Sequence, residues 1–349
     1  MIYKNLGHSN IKVSTICLGT MTWGEQNTEK EAFEQMDMAF DYGVNFFDTA
    51  ELYPVPPSEK TQGETSRIIS RWVHSKNNRS KIIIADKIVG RSKMNWFRDG
   101  VDETRLNKKQ IKFALERSLK NLNTDYIDLY QLHWPERSTN FFSKLGYKHN
   151  DQEGDWTAFE DILETAQKFI EQGKIRYLGL SNETAYGLSK YLQLSDAKEL
   201  PRVVSVQNPY SLLNRTYEVG LAEMSIREKA GLLAYSPLAF GMLSGKYLNG
   251  QLPQGSRLQL FGESFPRYQG TRSQLAVEEY FKIATKHDLS LTQMSLAFVN
   301  MQHFVTSNII GATNLDQLKE NIDSVNLELT DEVLDDINKI HENNPSPAP

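Results

Sequence analysis

One cysteine, Cys17, stands in 349 residues. A lone thiol excludes an internal disulfide and any paired-cysteine metal site, and it suits a reducing compartment. Its setting in a short apolar run reads as a small core residue. No stretch approaches the roughly 18 apolar residues of a membrane span, and the opening "MIYKNLGHSN" has no apolar run that would serve as a signal peptide. A cytoplasmic chain is expected. The net charge is −5 and there is no basic block, which argues against nucleic acid and anionic membrane as partners. No G-x-G-x-x-G fingerprint follows an early strand, so a Rossmann-type dinucleotide site is not expected. No cluster of histidines and carboxylates falls on strand ends, so no metal is expected and a metal hydrolase is disfavoured.

What is present is a core-forming composition, 39% apolar and 24% charged, arranged in repeats. Eight short apolar runs read as strands: 15–20, 44–49, 82–87, 126–133, 175–182, 203–210, 232–238 and 307–313. Their brevity and their β-branched and aromatic content distinguish them from helix fragments. Amphipathic segments lie between them. Residues 28–42 open on a capping box, Thr28 with Glu31, and carry Ala32, Phe33, Met36, Ala39 and Phe40 at helical spacing. Further helical patterns include 220–231, ending on Gly231 as a C-cap, and 275–286, 291–302 and 314–324. Eightfold strand–helix alternation predicts an α/β fold, a (β/α)8 barrel of the TIM type, with a doubly wound open sheet as the alternative. The segment "YKNLGHSNIKV" predicts an N-terminal β-hairpin. One barrel is expected over 1–340, with 341–349 a disordered tail. The long connections 51–62, 88–106, 134–154 and 239–270 all follow strands, which in a barrel puts them on the C-terminal face, where sites are built.

Three consecutive strands end on reactive groups. The second ends near Asp48, the third at Lys87 and the fourth at His133, and Tyr53 lies just past the second in "GVNFFDTAELY". Singly, each has an ordinary reading: a turn cap, a solvated lysine, a core histidine, a loop anchor. Converging over one barrel core, they would be costly as packing alone. As chemistry they are coherent. A phenol titrates at about 10, a neighbouring ammonium is expected to lower that value, and a carboxylate holds the ammonium. The product is a proton donor for a carbonyl oxygen, with the imidazole as a second hydrogen-bonding group. Asp86, beside Lys87, should face away from the lumen by strand alternation.

Reduction also needs a hydride source, which no side chain supplies. Barrels often bind phosphate after strands seven and eight. There the chain reads "YSPLAFGMLSGKY" (235–247), offering Gly241, Gly245 and Lys246, and "GATNLDQLKEN" (311–321), offering Gly311 and Thr313 at the opening of a helix.

With "GVNFFDTAELY", "IIIADK", "LHWP", "YLGLSN", "VQNPYSLLNR", "YSPLAFGMLSGKY" and "IIGATNLDQLKENI" in this order, the chain resembles the aldo-keto reductase superfamily over nearly its whole length, and within it the bacterial Tas-type NADP(H)-dependent members. The resemblance implies NADP(H) bound extended across a barrel and a tetrad of Asp48, Tyr53, Lys87 and His133. It implies that Ser181, Asn182 and Gln207 hold the carboxamide and that Tyr235 stacks on the nicotinamide. Ser236, Pro237, Leu238, Gly241, Ser244 and Lys246 would line the pyrophosphate. Gly311, Thr313, Gln317, Glu320 and Asn321 would surround the adenosine end, and Arg257 would reach the 2′-phosphate. Thr20 and Met21 would border the ribose. Many members carry a basic residue where Gln317 stands, which leaves the 2′-phosphate to Lys246 and Arg257.

The function this implies is NADPH-dependent reduction of an aldehyde or ketone, with Tyr53 as general acid. Trp23 and Trp134 are expected to wall the substrate pocket, joined by Trp96 and Phe141 if these do more than pack the loops. The alternative is an NADPH-binding redox sensor or partner subunit with slow turnover, like the β-subunits of potassium channels. Those subunits tend to carry asparagine where His133 stands. A Schiff-base aldolase using Lys87 would leave the adenosine-side loops unexplained.

Overall fold

The computed structural model describes residues 1–349, apart from the side chain of Ser264. Two short strands, β1 (Tyr3–Asn5) and β2 (Lys12–Ser14), form the antiparallel N-terminal hairpin. Eight parallel strands follow: β3 (Ile16–Gly19), β4 (Phe46–Asp48), β5 (Ile83–Ile88), β6 (Ile127–Leu132), β7 (Ile175–Ser181), β8 (Ser205–Pro209), β9 (Gly231–Tyr235) and β10 (Val305–Ile310). They close in chain order, β10 pairing with β3, into a (β/α)8 barrel. Every strand expected from the apolar runs is present. The helices are α1 (Glu29–Asp41), α2 (Glu64–Lys76), α3 (Lys108–Leu122), α4 (Phe159–Glu171), α5 (Ala185–Lys198), α6 (Tyr217–Arg227), α7 (Arg257–Phe261), α8 (Thr271–Lys286), α9 (Leu291–Asn300), α10 (Leu315–Asp323) and α11 (Asp331–Asn343). No described helix is long and apolar enough to cross a membrane.

Strand alternation builds the lumen in layers. Cys17, Phe46, Ala85, Leu129, Leu233 and Ile309 form an apolar plug, which Leu6, Ile11 and Val13 of the hairpin segment join. Two positions further along their strands come Asp48, Lys87, Gln131 and Tyr235. The period of two that points Phe46 and Ala85 into the barrel points Asp48 and Lys87 the same way, one layer higher.

Three expectations are corrected. Helix α6 stops at Arg227, and Gly231 opens β9 instead of capping the helix. A Cβ on Gly231 would lie 2.0 Å from Thr306 Oγ1, so this glycine serves close strand packing. Lys229, at φ 51°, makes the left-handed turn. The tail is not a free end. Ala348 is buried, its N–H donates to the Leu213 carbonyl at 3.0 Å, and the Ser273 hydroxyl donates to the Pro347 carbonyl at 3.1 Å. Polar, proline-rich composition suggested disorder, but Arg215, Arg272 and Ser273 supply partners for its backbone and side chains. Trp23 does not reach a pocket. It is fully buried with the α1–α2 core, and its indole N–H donates to Gln35 Oε1.

Candidate active site

The capping box at the start of α1 forms as expected, with Thr28 and Glu31 bonding reciprocally. At the C-terminal rim, Lys87 Nζ donates to Asp48 Oδ2 at 2.6 Å and to the Thr49 carbonyl at 2.8 Å, with no exposure of the lysine. The other Asp48 oxygen accepts from Gln207 Nε2 at 2.7 Å. The Thr20 hydroxyl donates to the Asp48 carbonyl at 2.7 Å. Thr20 therefore braces the Asp48 backbone. Lys87 Nζ sits 4.8 Å from the centre of the Tyr53 ring. Across from it, the His133 and Tyr53 rings meet edge-on with centroids 6.2 Å apart. Asp48, Tyr53, Lys87 and His133 thus come together, all buried.

The electrostatics differ from the simple expectation for Tyr53. Burial pushes its phenol up to about 12; Lys87 pulls it down, but Asp48 adds to the rise. In this pocket desolvation outweighs the ammonium, whose charge is largely matched by the Asp48 carboxylate. Burial also opposes the Lys87 charge, yet Asp48 and Tyr53 more than offset it and leave the lysine above its usual value. Burial, then Lys87, drives His133 well below 6.5. The imidazole is therefore neutral near pH 7, and its Nδ1 is a buried atom with no partner in the protein. Asp86 turns outward as alternation predicts, beside Ser118 of α3, and burial raises its carboxyl to about 6.

The side chains expected around a nicotinamide are contiguous with this group. Asn182 Nδ2 donates to the His133 carbonyl at 2.8 Å, the Ser181 hydroxyl donates to the Gln207 carbonyl at 2.8 Å, and the Tyr235 hydroxyl donates to Asn182 Oδ1 at 2.7 Å. Met21 lies nearby, its carbonyl accepting the Val55 N–H. After β9 the backbone is strained: Ser236, Ala239 and Phe240 all have positive φ, as does Gly241 at 95°. Such strain gathers where a loop is shaped for a ligand. Pro237 and Leu238 lie within this run, and Ser244 closes it by donating to the Gly241 carbonyl at 2.8 Å.

Lys246 and Arg257 repel one another; burial first, then Arg257, lowers the Lys246 ammonium. Among the described residues neither has a carboxylate partner. Arg257 lies over the Phe240 ring at 5.3 Å and against Gly311, so it bridges the loops after β9 and β10. Gln317 Oε1 accepts from both the Thr313 N–H and hydroxyl, and Asn321 Nδ2 donates to the Gly311 carbonyl at 3.2 Å. The Glu320 carboxylate takes the Ser290 hydroxyl at 2.6 Å. Two unneutralised cations beside a strained glycine loop fit a phosphorylated ligand.

Trp134 flanks His133 at 4.9 Å and packs with Val89 and Phe97; Leu52, Met94, Trp96 and Phe141 complete this apolar wall. Sequence reasoning missed Glu51 and Arg98, which form a buried ion pair joining the loops after β4 and β5. Their one signal was the acid inside "DTAELY". It also missed Arg267, which lies against Tyr235 and Tyr268; nothing in its local sequence marks it.

The profile of the Aldo/keto reductase family matches residues 15–342. The chain belongs to the aldo/keto reductase family. It is 50% identical to Protein tas of Escherichia coli (strain K12), covering the whole of both chains. It is 32% identical to the uncharacterized oxidoreductase YrpG of Bacillus subtilis (strain 168), over 97% of this chain and 96% of that one. It is 30% identical to a probable voltage-gated potassium channel subunit beta of Arabidopsis thaliana, over 99% and 98% respectively. As a member of this family the protein is an oxidoreductase, and the family generally uses nicotinamide cofactors.

Proposed function

We propose that this aldo/keto reductase reduces aldehydes or ketones to alcohols with NADPH, Tyr53 delivering the proton. The observation that carries the reading is the buried Lys87–Asp48 pair beneath the Tyr53 ring, with neutral His133 opposite. The cofactor, when bound, supplies the hydride for the carbonyl carbon. The protein supplies the rest. Ser181, Asn182 and Gln207 hold the carboxamide, and Tyr235 backs the ring. Lys246 and Arg257 take the phosphates, so NADPH is preferred over NADH. Tyr53 and His133 orient the carbonyl oxygen with two hydrogen bonds. As negative charge builds on that oxygen, the Tyr53 proton crosses to it, and Lys87 stabilises the phenolate left behind. Asp48 keeps the ammonium in register. The Trp134 wall excludes water and favours an apolar carbonyl compound.

The test is Tyr53→Phe. Consumption of NADPH with a panel of aldehydes and ketones should fall by about 10²–10⁴-fold, while the NADPH dissociation constant stays within about twofold. Undiminished turnover in that variant removes Tyr53 as the acid. The relation to a channel subunit beta favours a second reading, a cofactor-holding redox sensor. Tight NADPH binding without consumption in the unaltered protein would support it.

A further inference from the structure

Three arginine–glutamate pairs, two of them buried on both sides and the third with a partly exposed arginine, stitch consecutive loops at the rim. Arg98, on the connection after β5, lays its fork on Glu51, which follows β4. Arg105, on that same connection, bonds Glu136 after β6 at 3.0 Å. Arg137, the next residue, places its fork on Glu183 after β7, one bond at 3.0 Å. The arc therefore runs from the β4 loop to the β7 loop, and Asp48, Tyr53, Lys87, His133, Ser181 and Asn182 all lie along it.

Each carboxylate also fastens backbone or hydroxyl groups. Glu136 accepts from the Leu106 N–H and from the Thr157 N–H and hydroxyl. Glu183 accepts the Thr184 N–H at 2.7 Å. Glu51 accepts the Val89 N–H at 3.0 Å, while its own N–H donates to the Lys87 carbonyl at 2.9 Å. Glu51 is thus tied at two points to the end of β5, at the Lys87 carbonyl and at Val89, and stands in sequence between Asp48 and Tyr53. Buried ion pairs are weak sources of stability, because desolvation offsets attraction. A planar fork on a carboxylate does fix distance and angle.

We infer that Glu51 is a positioning residue, which through the Arg98 fork and the Val89 bond sets the separation of Tyr53 from Lys87. Glu51 contacts no reacting atom; it acts through the two side chains that do. The inference rests on the reading of Tyr53 as the proton donor. Misplacing a reacting group by about 1 Å can cost on the order of 100-fold in rate.

The test compares Glu51→Gln, Arg98→Lys and Glu183→Gln with the unaltered protein, using NADPH and whichever carbonyl compound is turned over. Glu51→Gln should lower kcat by about tenfold or more, with KM and the NADPH dissociation constant within about twofold. The solvent deuterium isotope effect on kcat should rise, because proton delivery becomes slow. Arg98→Lys keeps the charge but loses the fork, and should show the same pattern; it also stands in if Glu51→Gln fails to fold. Glu183→Gln lies at the carboxamide end and should weaken NADPH binding without raising the isotope effect. An unchanged kcat in folded Glu51→Gln overturns the inference. So does a loss of kcat that tracks a loss of NADPH binding with the isotope effect unmoved, the mark of a merely structural role. If the unaltered protein reduces no carbonyl compound, the functional reading falls, and hydrogen exchange judges Glu51 separately. Faster exchange confined to 49–63 and 88–106 in Glu51→Gln supports positioning; uniform or unaltered exchange overturns it.

Discussion

At the scale of single residues, burial governs the charges. Asp86 is fully buried, and desolvation outweighs the help of Ser118 and the Lys87 backbone, lifting its carboxyl from 3.8 to about 6. The folded value lies above the unfolded one, so folding favours the protonated form. The contribution to stability is complete below the unfolded value of 3.8 and is lost as pH rises through about 6. The penalty at neutral pH is of order ~3 kcal/mol. Asp86→Asn should be the more stable protein at pH 7, and its advantage should shrink towards pH 4, as thermal melts at both values would show. The Lys246–Arg257 pair gives a second expectation. With no carboxylate to neutralise them, removal of either should weaken NADPH binding by about 10–100-fold, the range of a charge-assisted hydrogen bond. NADH binding should change much less, as paired titrations would measure.

At the scale of elements, local periodicity carried most of the reading. The apolar runs mark all eight barrel strands to within a few residues, because a strand buried on both faces needs such a run wherever it lies. The capping box of α1 was legible because both partners lie within four consecutive residues. The end of α6 was not: Gly231 looks like a cap until its packing against Thr306 is seen. The tail makes the same point. Its composition is that of a disordered segment, yet Leu213 and Ser273, far away in sequence, supply its hydrogen-bond partners. Removing residues 345–349 should lower Tm by roughly 1–4 °C and speed hydrogen exchange in 211–216 and 267–273. An unchanged melt and exchange pattern would show that these contacts contribute nothing.

At the scale of the whole molecule, barrel closure gathers the loops after β4, β5, β6, β7, β9 and β10 over one lumen. A ligand held by several of these loops binds the folded chain alone, so NADPH at about 100 times its dissociation constant should stabilise the protein by about 2.7 kcal/mol. Thermal scans should show a larger rise with NADPH than with NADH at equal concentration. Equal rises would count against a 2′-phosphate site at Lys246 and Arg257. The sequence by itself determined the strands, the barrel they form, and the side chains that stand at the strand ends, since each follows from a period of two and a chain order readable within short windows. Only the tertiary structure decided that Trp23 belongs to the helical core, that burial outweighs Lys87 at Tyr53, and that Glu51, Glu136 and Glu183 find Arg98, Arg105 and Arg137. These outcomes depend on desolvation and on contacts between distant segments, and no local pattern of residues encodes either.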